Sequence, residues 1–533
     1  MIPERCYSST IQQGSVNRRQ LWSSIVVAAL IVLPGRECGA QAYPLDFGFS
    51  NRIQRMVDAG CLIDENCLYH PFSFKTSLLD QSHLSETDST SPVYPRYFLR
   101  NEQFSKNSRL LDDSRVDFRA SGGYGSELNS FIGDSRFKDS FSLMPFVWAG
   151  MRYKKHFYSD VAFRSGRQRT GFLFGDNRVT TRKLVDDVNI ERLTLGYRSD
   201  QALIEFGRGR EVTGVMAEEN LLLSNSSAAF DRLLLQLNYK HLSYRYFYGY
   251  LESFTDTVFI GSSLDTTLIN RYIVGRTLEY NNHSGFIVGV SELSILSGPN
   301  RPIDMAFLNP IASHVEIEQN DHDNTRAGSG ENGLWALHLD WRPMKNWRLA
   351  GSILLDDYQL DSGDRDQKQD QLGFQAHTSV TMHPRSGLLI LFGDFAHVGT
   401  FTTMHRNGIN NMVSKGIYLG HPVGNDAEFW QGGLTYLPNW DASYEIAIGE
   451  VRRGEKSMLA NPYLGRGAPQ KAPFPSGKVS SWQFIDLKIN QQLYKQYELD
   501  FRYMLSVSST GPIHRDSQGE LTLRYQVIWN TSL

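Results

Sequence analysis

The feature that most constrains this chain is a two-residue hydrophobic period held over unusually long segments. Near the C-terminus Tyr497, Leu499, Phe501, Tyr503, Leu505 and Val507 alternate with Glu498, Asp500, Arg502, Met504 and Ser506. Leu521, Leu523, Tyr525, Val527 and Trp529 repeat the pattern against Thr522, Arg524, Gln526, Ile528 and Asn530. Upstream, Leu233, Leu235, Leu237 and Tyr239 run to a short turn at Lys240-His241, and Leu242, Tyr244, Tyr246, Tyr248 and Tyr250 return with Arg245 among them. Trp335, Leu337, Leu339 and Trp341 form another such pair with Trp347, Leu349, Gly351, Ile353 and Leu355, across Pro343 to Asn346. Successive side chains of a strand point to opposite faces, so each segment has one apolar and one polar face. Strands of globular proteins average about 5–6 residues, whereas a strand that crosses a bilayer needs about 9–11. These segments have the second length. Aromatics also gather at their ends (Trp335, Trp341, Trp347, Tyr497, Trp529), as interfacial girdles do. The alternative is a secreted soluble β-sandwich or β-helix, which alternates too but does not call for a wet, charged inner face.

Composition removes other classes. Among 533 residues there are 25 Tyr, 30 Phe and 9 Trp, too many rigid apolar groups for a disordered chain. Lys+Arg is 54 against Asp+Glu at 57, which lacks the basic excess of a nucleic-acid binder. The mean hydropathy of -0.36 and the absence of a long apolar run beyond the N-terminus argue against spanning helices. It says nothing against a barrel, in which only half of each strand must be apolar. At about 20–24 residues per strand and connection, residues 141–533 predict about 16–20 strands.

The N-terminus carries an export signal. Arg18 and Arg19 precede an apolar core from Leu21 to Leu33, then Pro34-Gly35 and Ala40-Gln41-Ala42, which predicts a signal peptide over 1–42. Its removal takes away four arginines and two glutamates, moving the formal charge from -3 to -5. Two of the four cysteines go with it, leaving Cys61 and Cys67 as a candidate disulfide or as two free thiols. Phe49, Ile53, Met56 and Val57 fall at helical spacing before Gly60, and a second short helix is expected after Pro71. Residues 80–135, rich in Ser, Asp and Asn, read as linker. The expected division is therefore 1–42 signal, 43–135 helical region and linker, and 136–533 barrel.

Several motifs fall in a distinctive order. Phe206-Gly207-Arg208-Gly209-Arg210 is followed by Asn220 to Asn225 and by Phe230-Asp231-Arg232-Leu233. No Lys-Ser/Thr follows the glycines, so this is a strand end, an inward loop and a new strand rather than a phosphate loop. Arg271-Tyr272-Ile273-Val274, Arg276, Leu278-Glu279 and Gly289-Val290-Ser291-Glu292 come next. Then follow Phe307-Leu308-Asn309-Pro310 with Glu316, Glu318 and Asp323-Asn324, and Ile353-Leu354-Leu355-Asp356-Asp357. Leu419-Gly420-His421-Pro422 and Gly424-Asn425-Asp426-Ala427 close the series. In these motifs the chain resembles the capsule-assembly family Wzi, outer-membrane proteins that hold surface polysaccharide, over nearly the whole mature length. The resemblance implies an all-β fold: a large transmembrane antiparallel β-barrel of about eighteen strands with a small N-terminal helical periplasmic region. It further implies a non-enzymatic role in the attachment, assembly or export of capsular or exported polysaccharide. Outer-membrane lipid and polysaccharide export machinery are the other expected partners, with no cofactor, metal or nucleic acid. Asn425 stands where the family usually has proline, and Ser226-Ser227-Ala228-Ala229 replaces a more proline-rich turn.

The candidate glycan-binding or lumenal network comprises Arg208, Arg210, Asn225, Asp231, Arg271, Arg276, Glu279, Glu292 and Asn309. It continues with Glu316, Glu318, Asp323, Asn324, Asp356, Asp357, His421 and Asp426. Sugars offer hydroxyl edges to Asp, Glu, Asn and Arg, and an acidic polymer would add bidentate contacts to arginine. The plainer reading is an acidic lumen balanced by Arg208, Arg210, Arg271 and Arg276. Catalysis has a weaker case. Adjacent Asp356 and Asp357 point to opposite faces of a strand, whereas Glu316 and Glu318 share one and, with Glu292 or Asp357, have glycosidase-like potential. Asp321-x-Asp323-x-Thr325 lacks the turn glycine of a calcium loop, with Arg326 in its place. A porin or sugar channel and a glycan-modifying enzyme are the alternatives to a binding protein.

Overall fold

The alternating segments become strands of a single sheet, the last of them described as far as Tyr525. The computed structural model describes residues 116–525, except 133–139, 154–155, 166–187, 200, 217–218, 261–262, 314–330, 358–369, 385–386, 406–407, 440–441, 459–470, 495–496 and 509–514. The expected signal peptide, the helical region with Cys61 and Cys67, and Glu316, Glu318, Asp323 and Asn324 lie outside the described residues, as does the side chain of Asp357.

The strands are β1 (Val116–Ile132), β2 (Ser140–Tyr153), β3 (Phe157–Ser165), β4 (Val188–Arg198), β5 (Ala202–Gly209), β6 (Phe230–Tyr239) and β7 (Leu242–Ile260). They continue as β8 (Ser263–Asn281), β9 (Phe286–Pro299), β10 (Glu331–Met344), β11 (Trp347–Asp357), β12 (Gln371–Met382) and β13 (Leu388–Val398). A two-residue pair, β14 (Val413–Ser414) and β15 (Ile417–Tyr418), sits within the next loop. The wall resumes with β16 (Ala427–Asn439), β17 (Ala442–Arg453), β18 (Ser480–Tyr494), β19 (Tyr497–Ser508) and β20 (Arg515–Tyr525). Apart from β14 and β15, each strand pairs antiparallel with its neighbours in sequence, and β20 returns to pair with β1, closing an 18-stranded barrel. Closure leaves no open edge, as a sheet in lipid requires.

The sheet begins at Val116, inside the stretch expected to be linker, so the barrel starts before residue 136. Glycine and serine dilute the alternation of β1, and its register is set from outside, by fourteen pairs to β2 and eleven to β20.

Along β10, Leu337, Leu339 and Trp341 are 48%, 39% and 44% exposed, while Ala336, His338 and Asp340 are 2%, 1% and 7%. The apolar face therefore points outward and the polar one inward, the reverse of a soluble sheet. Ile353 and Leu355 on β11, Ile446 and Ile448 on β17 and Ile485 and Leu487 on β18 continue this belt. Tyr153, Phe157, Tyr239, Tyr280, Trp341 and Tyr444 border it at the rim of short turns, and Phe206, Phe374 and Trp430 toward the other. The short turns at 199–201 and 282–285 share one rim, because every connection alternates sides. The connections 300–330, 358–370, 399–426 and 454–479 leave the opposite one.

Ile353→Arg on the outward face should destabilise the barrel in lipid vesicles by about 2–4 kcal/mol, read from urea unfolding. Replacement by Val should cost about 1 kcal/mol or less.

Candidate functional site

Two long loops fold into the lumen rather than away from it. In 210–229, Leu221, Leu222 and Leu223 are fully buried, and the far wall reaches for the backbone. Arg348 Nη2 on β11 donates to the Val215 carbonyl at 2.8 Å, and Gln375 Nε2 on β12 to that of Glu219 at 2.6 Å. Loop 399–426 crosses the other way. Arg271 on β8 donates to the carbonyls of Asn411 and Val413, each at 2.6 Å. Ser297 on β9 and Asn332 on β10 bind those of Ile409 and Asn410 at 3.0 and 3.1 Å. The loops meet where Ser224 N donates to the Leu419 carbonyl at 2.8 Å. A Cβ on Gly420 would lie 2.2 Å from the Leu221 carbonyl oxygen, so only glycine allows this crossing. Phe401, Met404, Met412, Leu419 and Val423 pack there with inward Phe230, Phe247, Ile273, Phe429 and Phe484.

Asp426 fastens this assembly to the β17–β18 connection. Its buried carboxylate accepts from Thr400 Oγ1 at 2.9 Å, Ser476 N at 2.9 Å, Ser476 Oγ at 2.5 Å and Lys456 N at 3.1 Å. The backbone at Asp426 is left-handed (φ 56°), a strained choice for a non-glycine residue that this set of donors holds in place. A Cβ on Gly454 would sit 2.0 Å from Asp426 Oδ2, so that approach also needs glycine. Asn425 donates to the Thr400 carbonyl at 2.8 Å and accepts from Met458 N at 3.1 Å, bridges that a proline could not make. His421 is buried, and its Nδ1 accepts from Val423 N at 3.2 Å, which needs an unprotonated nitrogen. Burial holds its pKa down to about 3, and Nε2 stands 3.7 Å from Glu219, beyond hydrogen-bond reach.

Beneath loop 210–229 runs an ion-pair network that the motifs did not mark. Glu205 on β5 accepts from Arg232 at 2.6 Å and from Tyr158 at 2.8 Å, with Arg192 at 3.3 Å. Glu211 at the loop base binds Arg232 at 2.8 Å and also Arg245. Arg192 reaches Asp160 on β3 at 3.2 Å. The six charged side chains are each at most 4% exposed. Arg210 joins Glu191 and donates to the Ser227 carbonyl at 2.9 Å, tying down both ends of the loop. Strand parity was the available signal: Glu205, Arg232 and Arg245 alternate with outward Ile204, Leu233 and Tyr244.

Other expected lumenal residues lie on the outside. Arg208 shares its face with exposed Phe206, and its bidentate partner Asp231 (2.9 and 2.6 Å) is outward too. Arg276 and Glu292 are paired across β8 and β9 in the face of exposed Leu278 and Val290, 3.4 Å apart. They are nonetheless buried, because residues 301–313 form a strap down the outer wall. Tyr246 Oη donates to the Phe307 carbonyl at 2.8 Å and Tyr272 Oη to that of Arg301 at 3.2 Å, while Tyr244 binds the Pro310 carbonyl. Arg276 donates to the carbonyls of Asn309 and Pro310 at 3.3 Å, and Ser313 Oγ to Glu292 at 2.8 Å. The strap's own outer side shows Ile303, Met305 and Ile311. Its backbone oxygens are thus met by the tyrosine stripe, as an irregular segment on such a wall demands. Parity again gives the reason for the correction: a charge on an apolar face looks lumenal only if the face is misassigned.

The remaining candidates divide as follows. Asp356 faces inward and accepts from Thr403 N at 2.6 Å, Glu279 is buried on the inner face of β8, and Asn225 is half-buried in loop 210–229. The structure thus brings Arg271, Asp356, His421 and Asp426 to the loops across the lumen, and sets Arg276 and Glu292 beneath the strap against the carbonyl of its Asn309.

A wall that is apolar outside and crossed inside by its own loops defines the class, a plugged outer-membrane-type β-barrel. Residues 149–533 match the family described as capsule assembly protein Wzi. The chain belongs to that family. Among solved structures, the Wzi protein of Escherichia coli, described as an outer-membrane carbohydrate-binding β-barrel involved in group 1 capsule assembly, is similar with a TM-score of 0.59 at 12% identity. The match covers 92% of this chain and 99% of that one. Acinetobacter baumannii OccAB4 (TM-score 0.43, 9% identity, 78% of this chain and 99% of that one) and Pseudomonas aeruginosa OpdQ (0.44, 9%, 79% and 100%) also match. No curated protein matches the sequence.

Glu211→Gln would leave two buried guanidiniums short of a counter-charge and should cost about 3–5 kcal/mol in urea unfolding. The neutral, buried His421 makes folding favourable above the ordinary histidine pKa of about 6.5, and this contribution fades as pH falls toward 3. Melting temperatures taken across that window should therefore fall less steeply in His421→Gln than in the wild-type protein.

Proposed function

We propose that this protein sits in the outer membrane and binds surface polysaccharide, holding or organising it during capsule assembly without cleaving or conducting it. The observation that carries the reading is the crossing of loops 210–229 and 399–426 at Gly420, which sets packed side chains across the lumen where a channel needs a path. Family membership and the carbohydrate-binding description of the Escherichia coli relative support it. In barrels of this kind short turns face the periplasm and long loops the exterior, which directs the rim of 399–426 and 454–479 toward the cell surface. The signal peptide expected over 1–42 would supply export, and polysaccharide export machinery is the partner this reading proposes on the periplasmic side. The inward Arg, Glu and Asp side chains act mainly on one another and on loop backbone, so their role is to hold the loops that present a glycan surface.

Deleting the gene should shed attached surface polysaccharide into the medium, measured as the ratio of cell-bound to free polymer. A normal attached layer would overturn the binding role. Purified barrel in planar bilayers should pass little current, whereas steady open conductance would favour a porin.

A further inference from the structure

Charge on the long-loop rim is unevenly shared. Among the described residues of 452–478, Arg452, Arg453, Lys456, Lys471 and Lys478 stand against Glu455, although the whole chain has a formal charge of -3, and of these Arg452 is met by Glu428 of β16 at 2.9 Å. This sector of the rim, at β17 and β18, is therefore basic.

The basic sector stands on a fixed base. Lys456 N donates to Asp426 Oδ2 at 3.1 Å and to Ser476 Oγ at 3.2 Å, and Glu455 N to the Ser476 carbonyl at 2.9 Å. These bonds lay the arms 454–458 and 471–479 side by side. Phe474 packs on the His397 ring at 4.1 Å and anchors the second arm to the wall. Lys456, Lys471 and Lys478 are exposed, and among the described residues none has an ion-pair partner. That contrasts with the interior, where Arg192, Arg232, Arg245 and Arg271 each meet a carboxylate. Cations gathered on a pinned backbone repel one another and lose that repulsion when a polyanion lies across them.

We propose that this platform selects acidic polysaccharide, taking the carboxylates of sugar acids on Lys456, Lys471 and Lys478. The inference rests on the glycan-binding reading above and adds the chemical class of the polymer and the sector that takes it. An ammonium group is a strongly hydrated point charge that pairs with a carboxylate without fixed geometry, which suits a repeating polymer met in many registers.

The test uses the full-length barrel in detergent with two polymers of one backbone, polygalacturonate and its fully methyl-esterified form. Wild type should bind the free acid, lose affinity as salt rises, and bind the ester at least about tenfold more weakly. Lys456→Gln, Lys471→Gln and Lys478→Gln combined should weaken binding of the acid to the level of the ester, with the melting temperature unchanged because all three side chains are exposed. Lys240→Gln with Lys345→Gln, at the short-turn rim, should leave binding as it was. Equal, salt-insensitive binding of acid and ester would overturn this inference and leave the glycan-binding reading standing. Preference for the acid that survives the triple substitution would overturn the assignment to this sector. If wild type binds neither polymer while retaining the cell's own surface polysaccharide, the acidic-polymer inference falls alone, and if it retains none, both fall.

Discussion

A backbone facing lipid must find every hydrogen bond within the protein, and the rest of this structure follows from that constraint. An open sheet of these strands would leave two rows of unpaired N–H and C=O groups, each expensive in hydrocarbon. The pairing of β20 with β1 removes both rows at once. Closure in turn fixes strand parity all round the wall, so that the apolar belt faces out and the charged side chains face one another across a lumen. The strap over β7 to β9 obeys the same demand, because tyrosine hydroxyls and Arg276 meet its carbonyls.

A barrel of 18 strands encloses more space than its inward side chains can fill. Loops 210–229 and 399–426 cross it, and each is held by wall side chains that bind loop carbonyls: Arg348 and Gln375 for the first, Arg271, Ser297 and Asn332 for the second. The buried charges support this arrangement. Glu211 at the loop base is shared by Arg232 and Arg245, Glu205 by Arg232 and Arg192, and Asp160 meets Arg192, so three arginines in this network face three carboxyl groups. Rigidity inside is what allows the outer rim to hold lysines at fixed positions without partners of their own.

Much of this was legible in the sequence, and the misses have identifiable causes. The long two-residue period gave the strands, their length the membrane, and the ordered motifs the family. β1 was missed because Gly122, Gly123, Gly125 and the serines weaken its pattern, and its register comes from two partner strands rather than from its own residues. Arg208, Asp231, Arg276 and Glu292 were expected in the lumen by residue type, although their parity with Phe206, Leu233, Leu278 and Val290 sets them outside. Glu205 and Arg245 escaped because a charged residue on the inner face of a strand has no motif of its own, Arg232 stood in a motif but not among the candidates, and Glu211 stands at a loop base.

By itself the sequence determined a membrane-length antiparallel wall, because period and strand length are local properties that each segment carries alone. Which rim residues come together, that the lumen is crossed at Gly420, and that a tyrosine stripe is covered by a strap from the outside were decided only by the tertiary structure. Those outcomes depend on contacts between residues far apart in sequence, such as Arg271 with Asn411 and Arg348 with Val215 across the lumen and Tyr246 with Phe307 under the strap, and no local pattern encodes them.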